Sequence, residues 1–452
     1  MGFLDNCRPN ERFGAHGVWK HAAGGGPTIW FCVDWDRRRH ISIRVCEEVR
    51  MNDDGSGCED VMERIYQGLS EVVDGLDDDV NLVNFSIDGN LISTSSDNRH
   101  DDAIIPLYCP IDMIPEAYRT REHVVSRDEL VEVDRLSPCV DLVTYRSKPR
   151  SKGLFKYAFS HNEVHNEKHS EVLRNWHELN YWLRLTSEGH PSIVPVERVV
   201  TDGQDVLGHR NNVQVVVGFT SVFFPGMTLQ DLQTTPSWIF KRAYLDQLFD
   251  VVNDLHLIRG IVHRDIAPRN LLINPETGEL QIFNFSCAER MPVSGDFENV
   301  LIDFVGVITT VYEIVTGDTQ LAEQARLDED ISTIMDKGWT RSPSLRLDGE
   351  VSDYQDTIYD WFDNRSEPED FDSLYTQPLS PLDWPQFWKP EITKLDRHGK
   401  KDGKENSSCM WRNALRDWRL KFVEWKRPAQ NNIPDGSRVL GDGTLIAQRD
   451  LE

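Results

Sequence analysis

The chain is 452 residues long and carries 49 lysines and arginines against 75 aspartates and glutamates, a formal net charge of −26. This length suggests about three domains or lobes of roughly 150 residues each, and the 39% of hydrophobic residues is enough for sizeable cores. The negative charge argues against the whole protein binding nucleic acid or an anionic membrane, because phosphate groups need a positive surface.

Membrane insertion and disulfide scaffolds are also not expected. No apolar run approaches ~18 residues, and the N-terminal segment has no apolar core of signal-peptide length. The eight cysteines are scattered without a Cys-x-x-Cys pair, which argues against a zinc ribbon or a disulfide framework. We therefore expect a cytoplasmic or nuclear protein with reduced thiols and with neither nucleic acid nor membrane as a partner.

Residues 1–125 contain short strand-type runs and one amphipathic helix. The runs at 28–33 and 40–45 are apolar or alternate apolar with polar residues, which is typical of β-strands. Residues 61–73 have the apolar spacing of a helix. No pattern here points to chemistry, so we predict a small α/β appendage of unknown function.

From about residue 126 the pattern becomes strand-rich with a single helix. Residues 171–185 place a row of apolar side chains on one helical face. Runs that predict strands lie at 140–145, 154–159, 196–200 and 213–219. We predict a β-rich lobe with one helix over residues 126–224.

The chain becomes helical after residue 225. Residues 240–258 and 301–315 are long, apolar and spaced as helices. We therefore predict a helical lobe over residues 225–395, so that the chain as a whole belongs to the α+β class.

The C-terminal residues 396–452 are predicted to form a loop, at residues 399–408, and a helical tail. Apolar side chains recur there at alternating steps of four and three residues, the spacing of a stripe along a helix, at Trp411, Leu415, Trp418, Phe422 and Trp425. The pattern predicts a helical tail that docks on the protein's own body or, alternatively, binds a partner.

The segment around His263-Arg264-Asp265 carries the most specific chemical signal. Asn270 follows Asp265 by five residues, which is the spacing of a protein-kinase catalytic loop. In such a loop Asp265 would orient the proton of an attacking hydroxyl, and Asn270 would offer an oxygen to Mg²⁺. Arg269 could supply a positive charge, since no lysine stands two residues after Asp265.

Three further positions fit the same chemistry. Lys156 lies in a predicted strand, where an inward lysine needs a charged partner, and Glu178 follows 22 residues later on the apolar helix. The two suit the ion pair that positions ATP phosphates. Asp303 begins a predicted helix and fits an aspartate that holds the catalytic-loop backbone. Each residue alone could be a surface charge or a helix N-terminal carboxylate, but their order along the chain favours the functional interpretation.

On these motifs the chain resembles the eukaryotic protein kinases and, more closely, a group of divergent kinase-like proteins of filamentous fungi. The resemblance covers roughly residues 126–390, and it is carried by the segments 176–182, 190–195, 217–220, 260–272, 306–316 and 383–385. It implies a bilobal protein kinase-like fold with ATP in the cleft and Mg²⁺ or Mn²⁺ as the metal. It also implies an unidentified protein substrate or partner.

The resemblance assigns roles to single residues. The hinge whose backbone amides meet adenine would lie near Val222–Phe224, and Ser221 would guard the pocket behind the adenine ring. The residues expected to contact ATP are Lys156, Glu178, Leu154, Val222, Phe224 and Leu272. The expected metal ligands are Asn270 and Asn284, Asp265 and Arg269 would act on the reacting groups, and the expected structural residues are His263, Arg264, Phe285 and Asp303.

Four features depart from the pattern of an active kinase. Asn284 stands where the Asp-Phe-Gly motif has its metal-binding aspartate, and a neutral amide supplies no charge to Mg²⁺. Residues 134–139 replace the glycine-rich loop without any glycine, and Leu154 stands where a small residue usually faces adenine. Asp303 follows Asn284 by only 19 residues without an Ala-Pro-Glu motif, which should reduce the platform for a peptide substrate.

Three functions are consistent with this sequence. The first is transfer of the γ-phosphate of ATP to a protein Ser or Thr hydroxyl, with weakened metal binding; Lys156, Glu178, Asp265 and Asn270 favour it. The second is a catalytically impaired pseudokinase that acts as a binding or regulatory module, which Asn284 and the missing glycines favour. The third is a small-molecule kinase, since the peptide platform is reduced.

Overall fold

The computed structural model describes residues 12–15, 28–47, 59–101, 103–159, 171–187, 190–206, 209–291, 298–328, 330–366, 375, 377–383, 391–395, 401–406 and 409–451. The chain divides into two compact units. Unit 1 contains Met1–Trp176, Glu197–Ser221 and Gln386–Glu452, and unit 2 contains His177–Val196 and Val222–Pro385. Among the described residues, no helix is both long and apolar enough to cross a lipid bilayer.

The N-terminal part of unit 1 is a five-stranded sheet with one helix. Its strands follow one another in the order β1 (Phe13–Ala15), β2 (Thr28–Asp34), β3 (Arg39–Val45), β4 (Leu82–Phe85) and β5 (Leu91–Ser95). Strands β3 and β4 are parallel, since helix α1 (Glu59–Val72) connects them. Ile65 and Leu69 of α1 share one buried cluster with Ile41 and Ile43 of β3. The predicted strands and helix of this segment are confirmed.

A short strand, β6 (Ile104–Pro106), precedes a six-stranded sheet. The strands of this sheet are β7 (Val124–Ser126), β8 (Leu130–Ser137), β9 (Val140–Tyr145), β10 (Lys148–Tyr157), β11 (Val196–Val206) and β12 (His209–Val222). Their order in the sheet is β7-β11-β12-β10-β9-β8. Leu154 pairs with Leu142 and Lys156 with Val140 across the hairpin of β9 and β10. Helix α2 (Glu171–Ser187) separates β10 from β11 in sequence. The strand-rich segment with one helix is thus confirmed.

The glycine-free residues 134–139 lie in the hairpin of β8 and β9. Strand β8 ends at Ser137 and β9 begins at Val140, so the reversal is made by Pro138 and Cys139 alone. Cys139 has a φ of 60°, a left-handed conformation that side chains other than glycine adopt rarely. This tight turn contains no glycine, so its backbone is strained at Cys139.

Unit 2 is mainly helical, as predicted. Its long central helix, α5 (Glu298–Thr316), buries nearly every residue from Asp303 to Val315. The predicted helix at 240–258 is α4 (Ala243–Asn253) continued by a π-helical turn at Asp254–Arg259. The other helices are α3 (Leu229–Leu232), α6 (Thr319–Asp328), α7 (Ser332–Met335) and α8 (Val351–Ser366), and the short strands are β13 (Ile239–Phe240), β14 (Ile261–Val262), β15 (Leu271–Ile273), β16 (Leu280–Ile282), β17 (Glu289–Arg290) and β18 (Arg346–Leu347).

The prediction of a helical tail is wrong for most of its length. Strand β19 (Glu391–Leu395) precedes the tail. The tail itself contains β20 (Lys401–Asn406), which lies where a loop was predicted, β21 (Cys409–Trp411), helix α9 (Arg412–Asp417), β22 (Ser437–Val439) and β23 (Leu445–Ala447). Helix α9 ends because Arg419 adopts a left-handed conformation with a φ of 54°. The chain then continues without a helix through Phe422 and Trp425.

The regular spacing in the tail reflects contacts with two separate apolar clusters. Leu415 is buried with Ile105 and Leu107, and Trp418 packs against that cluster. Trp425 belongs instead to the core of the six-stranded sheet and stacks on Tyr157, with ring centroids 4.7 Å apart. These residues of the tail dock within unit 1, which agrees with the simpler of the two interpretations of the stripe.

Candidate active site

The predicted catalytic loop lies in unit 2 between β14 and β15. The π-helical turn before it ends at Gly260, whose φ of 67° is the left-handed conformation that commonly closes a helix. Strand β14 then leads into His263, and the loop closes with a 3₁₀ turn at Pro268–Asn270. Arg264 has a φ of 62°, so the loop bends sharply directly before Asp265.

Asp303 anchors this loop by its backbone. One carboxylate oxygen of Asp303 accepts the amide N–H of His263 at 2.7 Å, and the other accepts the N–H of Arg264 at 2.6 Å. The side chain of Asp303 is fully buried. The sequence suggested that Asp303 begins its helix, but this prediction is wrong, because α5 already begins at Glu298. One buried carboxylate thus accepts the backbone N–H groups of both residues at the bend.

A buried histidine supports that anion from the other side. His256 Nε2 lies 2.8 Å from Asp303 Oδ2. Burial lowers the pKa of His256, so the ring is neutral at pH 7 and donates its Nε2–H to the carboxylate. Burial alone would raise the pKa of Asp303, but the hydrogen bonds from His256 and from the His263 backbone hold it below its usual value.

His263 links the loop to the segment that carries Asn284. Its Nε2 lies 3.1 Å from the carbonyl oxygen of Phe283, and its Nδ1 accepts the amide N–H of Asp265 at 3.3 Å. This pattern requires a neutral ring with the proton on Nε2. Phe285 is fully buried and meets the His263 ring edge-on, with centroids 5.0 Å apart. These contacts place His263 and Phe285 side by side in the interior of unit 2, and their kinase-type structural roles stay a prediction.

Both oxygens of the Asp265 carboxylate are engaged. Oδ1 pairs with the guanidinium of Arg269, and Oδ2 accepts the side-chain N–H of Asn270 at 2.7 Å. The Asp265 side chain nevertheless remains 21% exposed and that of Arg269 54% exposed. The carboxylate is therefore oriented by two neighbours and still accessible to a third group.

The hairpin of β15 and β16 brings Asn270 and Asn284 together. Leu271 pairs with Ile282, and the amide N–H of Phe283 donates to the carbonyl oxygen of Asn270 at 3.1 Å. Asn284 Nδ2 then donates to Asn270 Oδ1 at 3.1 Å. The two predicted metal ligands are in direct hydrogen-bond contact.

This pair does not fit a Mg²⁺ ion in the arrangement observed. Mg²⁺ prefers carboxylate and phosphate oxygens, whereas Asn270 and Asn284 are both neutral, and the Asn270 oxygen already accepts a hydrogen bond. In the part of the chain that the structure describes, no group of three or more His, Cys, Asp or Glu side chains could hold a metal ion.

Arg264 is engaged by a resident carboxylate. Its guanidinium pairs with Glu289, which the antiparallel pairing of β14 with β17 places opposite Val262. Neither Glu289 nor His256 belongs to a recognisable motif, so neither could be selected from the sequence alone.

The predicted ATP-binding residues are distributed over both units. In unit 1, Leu154 and Lys156 lie in β10, and both are half-buried. In unit 2, Glu178 of α2 is fully buried, and Leu272 of β15 is 6% exposed. Val222 and Phe224, at the end of β12 and just after it, are half-buried. The ATP contacts of these residues stay a prediction.

A groove of about 590 Å³ lies beside Asp265 within unit 2. Residues of the catalytic loop, α5 and α6 line it, and Arg326 pairs with Glu313 in its wall at 2.7 Å. Asp265 is one of the residues that line this groove, so a ligand in the groove would contact it. The sequence did not predict the groove, since α6 has no distinctive motif.

Comparison with known proteins gives partial matches to kinases. No protein family model matches the chain. It is 42% identical over 60 residues to the serine/threonine-protein kinase RIM11/MSD1 of Saccharomyces cerevisiae, which covers 13% of this chain and 16% of that protein. It is 32% identical over 120 residues to glycogen synthase kinase 3 of Trypanosoma brucei brucei, which covers 25% of this chain and 34% of that protein. The chain thus spans about a third or less of the length of either relative, and these matches support a protein kinase-like relationship.

Proposed function

We propose that this protein is a protein kinase-like phosphotransferase that transfers the γ-phosphate of ATP to a Ser or Thr hydroxyl of a protein. The observation that carries the proposal is the anchored catalytic loop. Asp303 binds the backbone N–H groups of His263 and Arg264, and the loop so held presents the accessible carboxylate of Asp265. The partial similarity to serine/threonine kinases supports the same conclusion.

In this proposal the loop residues have distinct roles. Asp265 accepts a hydrogen bond from the acceptor hydroxyl and so directs its oxygen at the γ-phosphorus. That oxygen forms the new bond to the γ-phosphorus while the bond between the γ-phosphorus and the bridging oxygen of ADP breaks, and Asp265 takes up the hydroxyl proton. Arg269, paired with Asp265 and more than half exposed, offsets negative charge as the phosphoryl group moves. Asn270 holds Asp265 in place through its hydrogen bond.

The remaining roles concern ATP itself. We propose that Lys156 and Glu178 position the phosphates, as the ion pair of protein kinases does. Leu154 and Leu272 would contact the adenine ring, and the backbone at Val222–Phe224 would hydrogen-bond its edge. Lys156→Met should weaken ATP binding, whereas Lys152→Met, in the same strand and exposed, should not.

The test is transfer of γ-labelled phosphate to protein acceptors by three forms of the full chain. Wild type should label the acceptor, and Asp265→Asn should be slower by about 10²–10⁴-fold, the usual contribution of a positioned general base. Asp356→Asn, an exposed position on α8 in the same unit, is the matched control and should retain wild-type activity. Equal activity of Asp265→Asn and wild type would refute the role of Asp265.

A pseudokinase is the second candidate, and one specific observation favours it. The hydrogen bond from Asn284 to Asn270 occupies the oxygen that would otherwise face a metal. A protein that binds ATP but labels no acceptor in any form, Asn284→Asp included, would be such a binding module.

A further inference from the structure

We propose that Asn284 makes the nucleotide site of this protein independent of a divalent cation. The side-chain N–H of Asn284 donates a hydrogen bond to Asn270 and so joins the two residues that a cation would otherwise bridge. This deepens the proposed function and rests on it for the ligand, a nucleoside triphosphate. The observations that carry it are the hydrogen bonds that join Asp265, Asn270, Asn284 and Ser286.

The direction of this chain of hydrogen bonds is fixed at Asp265. Asn270 faces two atoms of Asp265 at 2.7 Å, the backbone carbonyl oxygen and the carboxylate Oδ2. Both atoms are acceptors when the carboxylate is ionised, so the Asn270 atom that faces them must be the NH₂ group. The carbonyl oxygen of the Asn270 side chain therefore points the other way, towards Asn284.

The orientation of Asn284 follows from that of Asn270. The oxygen of Asn270 needs a donor, and Asn284 Nδ2 provides it at 3.1 Å. The oxygen of Asn284 in turn accepts the hydroxyl of Ser286 at 3.1 Å. Asn284 has a φ of 67°, a conformation that asparagine tolerates better than most residues. Each side-chain amide of the pair is thus satisfied without a cation.

An aspartate at position 284 would reverse this situation. Its carboxylate would place an acceptor against the Asn270 oxygen, where the amide donor now lies. Two oxygens at this separation repel each other unless a proton or a cation lies between them. The substitution Asn284→Asp should therefore create a requirement for a divalent cation that the natural sequence does not have.

The variant Asn274→Asp, in the same hairpin, is a matched control for Asn284→Asp. Asn274 also donates its side-chain N–H to a side-chain oxygen, that of Gln281, at 3.4 Å. Asn274→Asp adds the same charge at the far end of β15, away from Asn270. An effect of charge alone would therefore appear in both variants, and an effect of the Asn270 contact only in one.

The experiment measures binding and stability of the full chain, not phosphoryl transfer, so it can fail independently of the proposed function. ATP affinity is measured in EDTA and in Mg²⁺, and the thermal midpoint is measured with Mn²⁺ alone. For wild type we expect an ATP Kd that changes less than about twofold between the two conditions, and no shift with Mn²⁺. For Asn284→Asp we expect a Kd at least about tenfold lower with Mg²⁺, and a midpoint that Mn²⁺ raises. Asn274→Asp should behave as wild type does.

Several results would overturn the proposal. Wild type that binds ATP at least about tenfold more tightly with Mg²⁺, or that Mn²⁺ stabilises as much as it does Asn284→Asp, has a metal site of its own. If wild type binds no ATP, the proposed function fails, and the thermal midpoints measured with Mn²⁺ then decide alone. An Asn284→Asp variant whose midpoint Mn²⁺ does not raise would contradict the inference. If Asn284→Asp does not fold, the wild-type comparison in EDTA and Mg²⁺ decides.

Discussion

Replacing Asp303 by asparagine should destabilise unit 2 and release the catalytic loop. The carboxylate accepts three hydrogen bonds, from His256, His263 and Arg264, at 2.6–2.8 Å, and it is fully buried. An amide of the same shape has only one oxygen. Asn at this position with its oxygen towards His256 and His263 would therefore turn an NH₂ group towards the N–H of Arg264.

The expected loss of stability follows from these three hydrogen bonds. One buried N–H left without an acceptor costs about 1–3 kcal/mol, and the two remaining bonds each lose about 1 kcal/mol because their acceptor is no longer charged. We expect Asp303→Asn to lower the free energy of unfolding by about 3–5 kcal/mol, the range seen when one partner of a buried charged pair is removed.

Urea unfolding at pH 7 measures this effect, and amide hydrogen exchange at His263 and Arg264 should become faster in the variant. Asp356→Asn on the surface of α8 is the control for the same chemical change. Since the pKa of Asp303 is held below its usual value, its contribution is present above about pH 4 and is lost as the pH falls below that. A variant within about 0.5 kcal/mol of wild type at pH 7, with unchanged exchange, would refute the anchoring role of Asp303.

Three further predictions concern pH, the tail and the ion pair beside the loop. Burial lowers the pKa of His177 to about 4, so its contribution to stability is present above about pH 6.5 and falls as the pH drops towards 4. Through this group, acidification from pH 7 to pH 5 should lower the free energy of unfolding by about 2 kcal/mol. In urea unfolding, His177→Gln should lose about 2 kcal/mol less than wild type over the same pH range. An equal loss in both proteins would contradict the prediction. Trp425→Ala should cost about 3–5 kcal/mol in the unfolding of unit 1, because the indole stacks on Tyr157 and donates its N–H to Tyr108 at 2.8 Å; Trp425→Phe should retain most of the stability, and an Ala variant as stable as the Phe variant would be evidence against this packing. Glu289→Ala should change stability by about 1 kcal/mol or less, since the Glu289 side chain is 53% exposed; thermal melts that show a much larger loss would indicate a role beyond the pair with Arg264.

The local elements of the fold were predictable because their signals are local. The alternation of residues 40–45 and the apolar run at 213–219 each gave a strand, and β3 and β12 contain them. The loop at residues 263–270 could be singled out because its signal, His263-Arg264-Asp265 followed by Asn270, lies within one short segment, and its catalytic role stays a prediction. Its contact with Asp303 followed from the resemblance to kinases.

The features that sequence reasoning missed depend on distant packing. The spacing of Trp418 and Trp425 suits a helix, but the chain reaches two different clusters, and a left-handed Arg419 lies between them. His256 could not be identified as a partner of Asp303, because its role depends on how the π-helical turn meets α5. The direction of the Asn284 amide depends on Asp265 through Asn270, and no single position of the sequence contains that information.

The central claim, phosphoryl transfer directed by Asp265, is tested most directly by a single-turnover experiment. The full chain is held in excess over γ-labelled ATP in the presence of a protein acceptor, so that even a slow transfer is counted. We predict labelled acceptor with wild type and a rate about 10²–10⁴-fold lower with Asp265→Asn. Label that appears at the same rate with both proteins, or that appears with neither, would contradict the claim.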